Sequence, residues 1–188
     1  MYELSSINKR IREIADKIST STSRMRGIVS ELLLFSKTPV LNKRPVDFES
    51  MIEEIINVIK EGMDLGKIDL IVDSEKATIY IDRTKMERAL LSLIKYSINR
   101  INSTGKGDRI RIKGYGEKGL FRIDISDNGP FITRDMSLRI FEPFFSHSDR
   151  KTGLDLSMGY NIIKAHGGDI IIRSTGEETV FSVELPMY

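Results

Sequence analysis

Apolar residues recur at alternating four- and three-residue spacings near the start of the chain. They are Ile7, Ile11, Ile14, Ile18, Met25, Ile28, Leu32 and Phe35, with only Ser21 or Thr22 interrupting the stripe. A seam that narrow, held for about four heptads, predicts a helix packed against other helices. The polar run Ser19-Thr20-Ser21-Thr22-Ser23 has poor helix propensity and leaves room for a kink or a turn. One long amphipathic helix lying on its own domain would give the same pattern. A stripe from residue 7 to residue 35 outruns a compact domain, however, which favours self-association. Pro39 and Pro45 close the segment and make Thr38–Pro45 a linker.

Beyond the linker the pattern alternates between helical and strand periods. Asp47 is placed to cap a helix whose apolar face is Met51, Ile52, Ile55, Ile56 and Ile59. Strands are predicted near residues 68–72 and 78–81. Asp82-Arg83-Thr84 then opens a second helix carrying Met86, Leu90, Leu93, Ile94 and Ile98. Residues 109–114 and 120–126 alternate as a hairpin turned at Gly116-Glu117-Lys118-Gly119. A long loop-like stretch follows, with one short helical piece around residues 136–140. A third helix over residues 153–165 stops at His166-Gly167-Gly168, and two strands, 169–173 and 179–185, close the chain. This order predicts an α+β fold, a two-layer α/β sandwich with helices on one face of a mixed sheet and the long loop as a lid. The organisation expected is a helical dimerisation segment with its linker over 1–41 and the sandwich over 42–188.

Composition narrows the function. The 188 residues leave room for one full domain and a small appendage. Absence of cysteine excludes disulfides and thiolate metal sites. The net charge is +2, and the densest basic cluster, Arg109, Arg111 and Lys113, alternates with Ile110 and Ile112. That alternation is the wet face of a half-buried strand and argues against nucleic-acid binding. No apolar run approaches the ~18 residues of a membrane span, and no signal-peptide pattern opens the chain. The expected location is cytoplasmic, with any membrane contact made by a sensor region outside this chain. The two histidines are His147 in the lid and His166 at a helix end, where a capping role is expected. They have no ligand spacing, so no metal site is expected.

Several short motifs, in order, resemble those of sensor histidine kinases. Asp127-Asn128-Gly129-Pro130 resembles the first glycine box, and Ile140-Phe141-Glu142-Pro143-Phe144-Phe145 the phenylalanine box. Thr152-Gly153-Leu154 with Leu156-Ser157 resembles the second glycine box, and Thr179-Val180-Phe181 the last motif. Leu90-Leu91-Ser92-Leu93-Ile94 stands at the asparagine box, and Glu31-Leu32-Leu33-Leu34-Phe35-Ser36 resembles the end of the second dimerisation helix. The resemblance implies the Bergerat-type ATP-binding fold, with ATP and Mg²⁺ as cofactors. It implies that Asp127 accepts a hydrogen bond from the adenine amino group, with Gly129, Thr152, Gly153, Leu154 and Thr179 around the nucleotide. An asparagine of the second helix holds Mg²⁺ in the family, and the third helix turns its free N–H groups toward the phosphates.

The departures fall on that site. Ser92 and Tyr96 replace asparagines, and Tyr96, a phenol, stands at the Mg²⁺-ligand position. Phe131 replaces the second glycine of the first box, while Lys151 and Asp155 replace glycines of the lid. Asp155 adds a like charge where phosphates would lie. Tyr96 and Phe131 are expected to converge and fill the cavity. Asp127, a carboxylate ending an apolar strand, needs a partner. Thr179 is the expected one if no nucleotide serves. No histidine lies in the N-terminal stripe, so no catalytic residue is assigned. The expected function is a degenerate, pseudokinase-like signalling module, a homodimeric scaffold for a response regulator or another histidine kinase. The alternative is an active kinase domain whose phosphoacceptor histidine lies outside this chain. An ATPase of the wider gyrase and chaperone superfamily is a third reading, disfavoured by the phenylalanine box and short lid.

Overall fold

The computed structural model describes residues 39–145 and 153–187, together with Arg10, Ile14, Ala15, Lys17, Ile18, Ser19, Ser21, Thr22 and Met25. The chain divides into two compact units, Met1–Lys37 and Thr38–Tyr188. In the first, every described position is helical and exposed, Ser21 and Thr22 included. Thr22 Oγ1 donates to the Ile18 carbonyl at 2.8 Å, the backward bond open to a helical threonine. Of the stripe, Ile14, Ile18 and Met25 are 51%, 61% and 58% exposed. Ile7, Ile11, Ile28, Leu32 and Phe35 lie outside the described residues.

The second unit runs β1 (Arg44–Asp47), α1 (Phe48–Gly62), β2 (Asp69–Ser74), β3 (Thr78–Ile81), α2 (Arg83–Thr104), β4 (Arg109–Glu117), β5 (Leu120–Asp127), α3 (Arg134–Arg139), α4 (Asp155–Ala165), β6 (Asp169–Ser174) and β7 (Thr179–Pro186). The strand β1 corrects the expectation of a linker as far as Pro45. It pairs antiparallel with β3, setting Pro45 opposite Tyr80. A two-stranded sheet has free edges, so a residue without an N–H is tolerated there. Only Val46 of this strand is buried, too little apolar pattern to declare a strand in sequence.

The remaining strands form one sheet in the order β2-β4-β5-β7-β6. β2 lies parallel to β4, and the other pairings are antiparallel. Phe121, Ile123 and Ile125 of β5 and Phe181, Val183 and Leu185 of β7 alternate inward and are buried. They meet Met51, Ile52, Ile55, Ile56 and Ile59 of α1 and the inner face of α2 in one core. The whole is a mixed-sheet α/β sandwich.

Local chemistry starts α1 and α2 where the sequence implies. Asp47 accepts the Ser50 N–H at 2.7 Å and caps α1. Asp82 caps α2, accepting from the Lys85 N–H at 3.2 Å, and also takes the Asn42 N–H at 2.9 Å and Lys85 Nζ at 2.7 Å. Burial pulls this carboxyl upward, but those hydrogen bonds outweigh it and hold the pKa at about 2. His166 ends α4 by its backbone N–H, which donates to the Ile162 and Ile163 carbonyls. Its buried ring does more than cap. Nδ1 lies 2.8 Å from the Ile162 carbonyl and Nε2 accepts the Asp82 N–H at 3.0 Å, tying the end of α4 to the start of α2.

Candidate functional site

The helix α2, the end of β5 and the start of β7 bring four polar side chains together. Asp127 and Thr179 face each other across β5 and β7 in register. On α2, Ser97 and Arg100 lie three residues apart and therefore on one face, which points at the sheet. Ser97 Oγ donates to Asp127 Oδ2 at 2.6 Å. Arg100 Nη1 lies 3.0 Å from Oδ2 and 3.3 Å from Oδ1. The Gly129 N–H donates to Oδ1 at 3.0 Å. A Cβ on Gly129 would sit 2.8 Å from that same oxygen, so only glycine allows the approach. A carboxylate offers about four acceptor positions, and these contacts use all of them.

Both partners of the ion pair are buried, the Asp127 side chain fully and that of Arg100 to 8% exposure. The second arm of the guanidinium bonds Thr179 Oγ1 at 3.2 Å and the Pro130 carbonyl. Thr179 Oγ1 in turn lies 2.7 Å from Ser174 Oγ, which accepts the Ile132 N–H at 3.0 Å. The link expected between Asp127 and Thr179 therefore runs through Arg100, a residue the sequence reading did not single out. The signal available was the helical spacing that puts Arg100 on the same face as Ser97, four residues beyond Tyr96.

Tyr96 also faces inward. Its ring meets Phe181 edge-on, with centroids 5.9 Å apart, and the Arg100 guanidinium lies 5.6 Å from its centroid. Its hydroxyl is buried with no hydrogen-bond partner among the described residues. Burial pushes the phenol pKa up, the Arg100 charge opposes that and the Asp127 charge adds to it. Phe131 corrects the expectation that two rings fill the cavity: it is 52% exposed and outside the core. Ser92 is buried with its hydroxyl on the Ala89 carbonyl at 2.7 Å. A Cβ on Gly159 of α4 would meet that hydroxyl at 2.5 Å, so the small serine serves the close packing of α4 on α2.

On the lid side, Gly153 has φ 67°, and a Cβ there would lie 2.7 Å from the Phe144 carbonyl carbon. Leu154 is fully buried and supplies no side-chain cap to α4, whose first turn carries the exposed Asp155. Thr152, Lys151 and His147 lie outside the described residues. Neighbouring rings anchor the lid's start: Phe141 stacks on Tyr160 at 4.9 Å.

Residues 81–188 match the family of histidine kinase-, DNA gyrase B- and HSP90-like ATPases. The chain belongs to that family. Within it the relatives are histidine kinases, and this chain carries a histidine kinase catalytic domain. It is 30% identical over 163 residues to the signal transduction histidine-protein kinase AtoS of Escherichia coli, covering 85% of this chain and 26% of AtoS. The solved catalytic domain of the histidine kinase ThkA, in a nucleotide-free form, is 26% identical with a TM-score of 0.68, covering 78% of this chain and 96% of that one. ThkA solved in complex with the response regulator TrrA is 29% identical with a TM-score of 0.72, covering 91% and 49% of the two chains. The chain spans between 23% and 51% of the length of the curated relatives it matches. Among the described residues no helix is long and apolar enough to cross a membrane.

Proposed function

We propose that this chain is a degenerate histidine kinase module that binds nucleotide weakly or not at all. It serves as a homodimeric, cytoplasmic scaffold for a response regulator or a partner kinase. The observation that carries this reading is the state of Asp127. In the family this carboxylate accepts from the adenine amino group, and here its side chain is fully buried with every acceptor position used from within the chain. The residues present do not fit the base in this arrangement. On the Mg²⁺ side, Tyr96 supports the same reading, since its hydroxyl is enclosed beside Phe181. A phenol is also a poor ligand for a hard cation. The scaffold role draws on the exposed helical stripe and on the ThkA–TrrA complex.

Calorimetric titration of the chain with ATP and Mg²⁺ tests it. Binding is expected to be absent or weaker than about 1 mM, a free energy of about 4 kcal/mol. A Mg²⁺-dependent dissociation constant in the low micromolar range would overturn the proposal. That outcome would favour an active domain acting on a histidine outside this chain, a reading supported by the start of α4, where the N-cap Leu154 offers no side-chain acceptor.

A further inference from the structure

A carboxylate buried without a partner is strongly disfavoured, so whatever supplies the donor to Asp127 governs the site. We propose that Arg100 is an internal replacement for the base's amino group, and that its removal alone opens a site that accepts adenine-type amino donors. This rests on the reading of Asp127 as the base-recognising carboxylate.

The chemistry of the two groups matches. A guanidinium and an aminopurine are both planar, donate N–H groups in the plane and present a π face. Arg100 uses both features here. Its edge donates to Asp127, and its carbon lies 5.6 Å from the Tyr96 ring centroid. The same side chain holds the Pro130 carbonyl and Thr179. Thr179 and Ser174 continue that chain of bonds to the Ile132 N–H. The loop after β5 is thus anchored from within the chain. Without Arg100, Asp127 would keep the donors of Ser97 and Gly129, and one acceptor position on each oxygen would be open.

The test is thermal denaturation of the full chain with adenosine, which carries the amino group but no phosphate, and with inosine, which has a carbonyl in its place. Arg100→Ala is expected to melt lower than the wild type. Millimolar adenosine should then raise its Tm by about 3 °C or more. Inosine should raise neither protein, and adenosine should not raise the wild type. Adding Asp127→Asn to Arg100→Ala should recover part of the lost Tm and abolish the adenosine response. If Arg100→Ala does not fold, Arg100→Met, which keeps much of the stem's volume and supplies no donor, is read in the same way. A silent wild type with a silent Arg100 variant overturns this inference and leaves the degenerate-site reading intact. Equal responses to adenosine and inosine overturn it as well, because amino recognition would play no part. A wild type that responds to adenosine as strongly as the variant overturns both.

Discussion

The Tyr96 hydroxyl is enclosed with no hydrogen-bond partner among the described residues, beside the Phe181 ring and the Arg100 guanidinium. An unmet polar group of this kind costs stability, whereas its deletion with the ring kept costs little. Tyr96→Phe is therefore expected to leave the domain as stable or stabilise it by up to ~1 kcal/mol, measured by urea denaturation. A clear loss of stability would mean that the hydroxyl is bonded. His166 makes a different prediction. Burial lowers its pKa first, the bond to Ile162 opposes that, and the Lys43 charge lowers it further. The folded chain thus resists a proton that the unfolded chain takes up near pH 6.5. His166 contributes fully above that pH, and its contribution is lost as pH falls from about 6.5 toward the lowered folded value. Unfolding free energy should decline as pH falls below about 6.5, and His166→Gln should flatten that decline. An equal slope in both proteins would remove His166 as the cause.

Between elements, contacts without spare volume decide the packing. Phe48, the first residue of α1, is fully buried and meets Phe121 of β5 at 4.8 Å between ring centroids. Its ring also lies over Gly114 of β4, where an added Cβ would come within 2.1 Å of it. The ring is fully buried and packed edge-on against Phe121, so it yields only by displacing its neighbours. Gly114→Ala is expected to destabilise the domain by roughly 1–3 kcal/mol, the cost of overpacking, read as a lower urea midpoint with the slope unchanged. A change below about 0.5 kcal/mol would show that α1 moves freely on the sheet. The outward alternation of Arg109, Arg111 and Lys113 made β4 legible, and the caps Asp47 and Asp82 did the same for the starts of α1 and α2. The strand β1 was not legible, since its pairing with β3 joins residues far apart in sequence and buries one side chain.

At the scale of the whole molecule, the exposed stripe is the main unexplained surface. Ile14, Ile18 and Met25 share a helical spacing and are more than half exposed. We propose that a second copy covers them. Light scattering should report a dimer at concentrations on the order of tens of micromolar, and Ile14→Asp with Ile28→Asp should give monomers by placing charge in the seam. A monomeric wild type under those conditions would remove the dimeric part of the proposed scaffold.

Sequence by itself determined the element order apart from β1, most of the core and the family, because periodicity, caps and short motifs are local properties of the chain. It also marked Asp127 as a buried acid in need of a partner. Only the tertiary structure decided what that partner is. Arg100 reads in sequence as one more polar residue late in α2, and Phe131 reads as a ring bound for the pocket. Packing α2 against the end of β5 turns Arg100 inward onto Asp127. The loop that follows β5 leaves Phe131 half in solvent. The physical reason is that a buried charge is compensated by whichever donor the fold brings within hydrogen-bond distance, and that distance spans segments that sequence patterns treat separately.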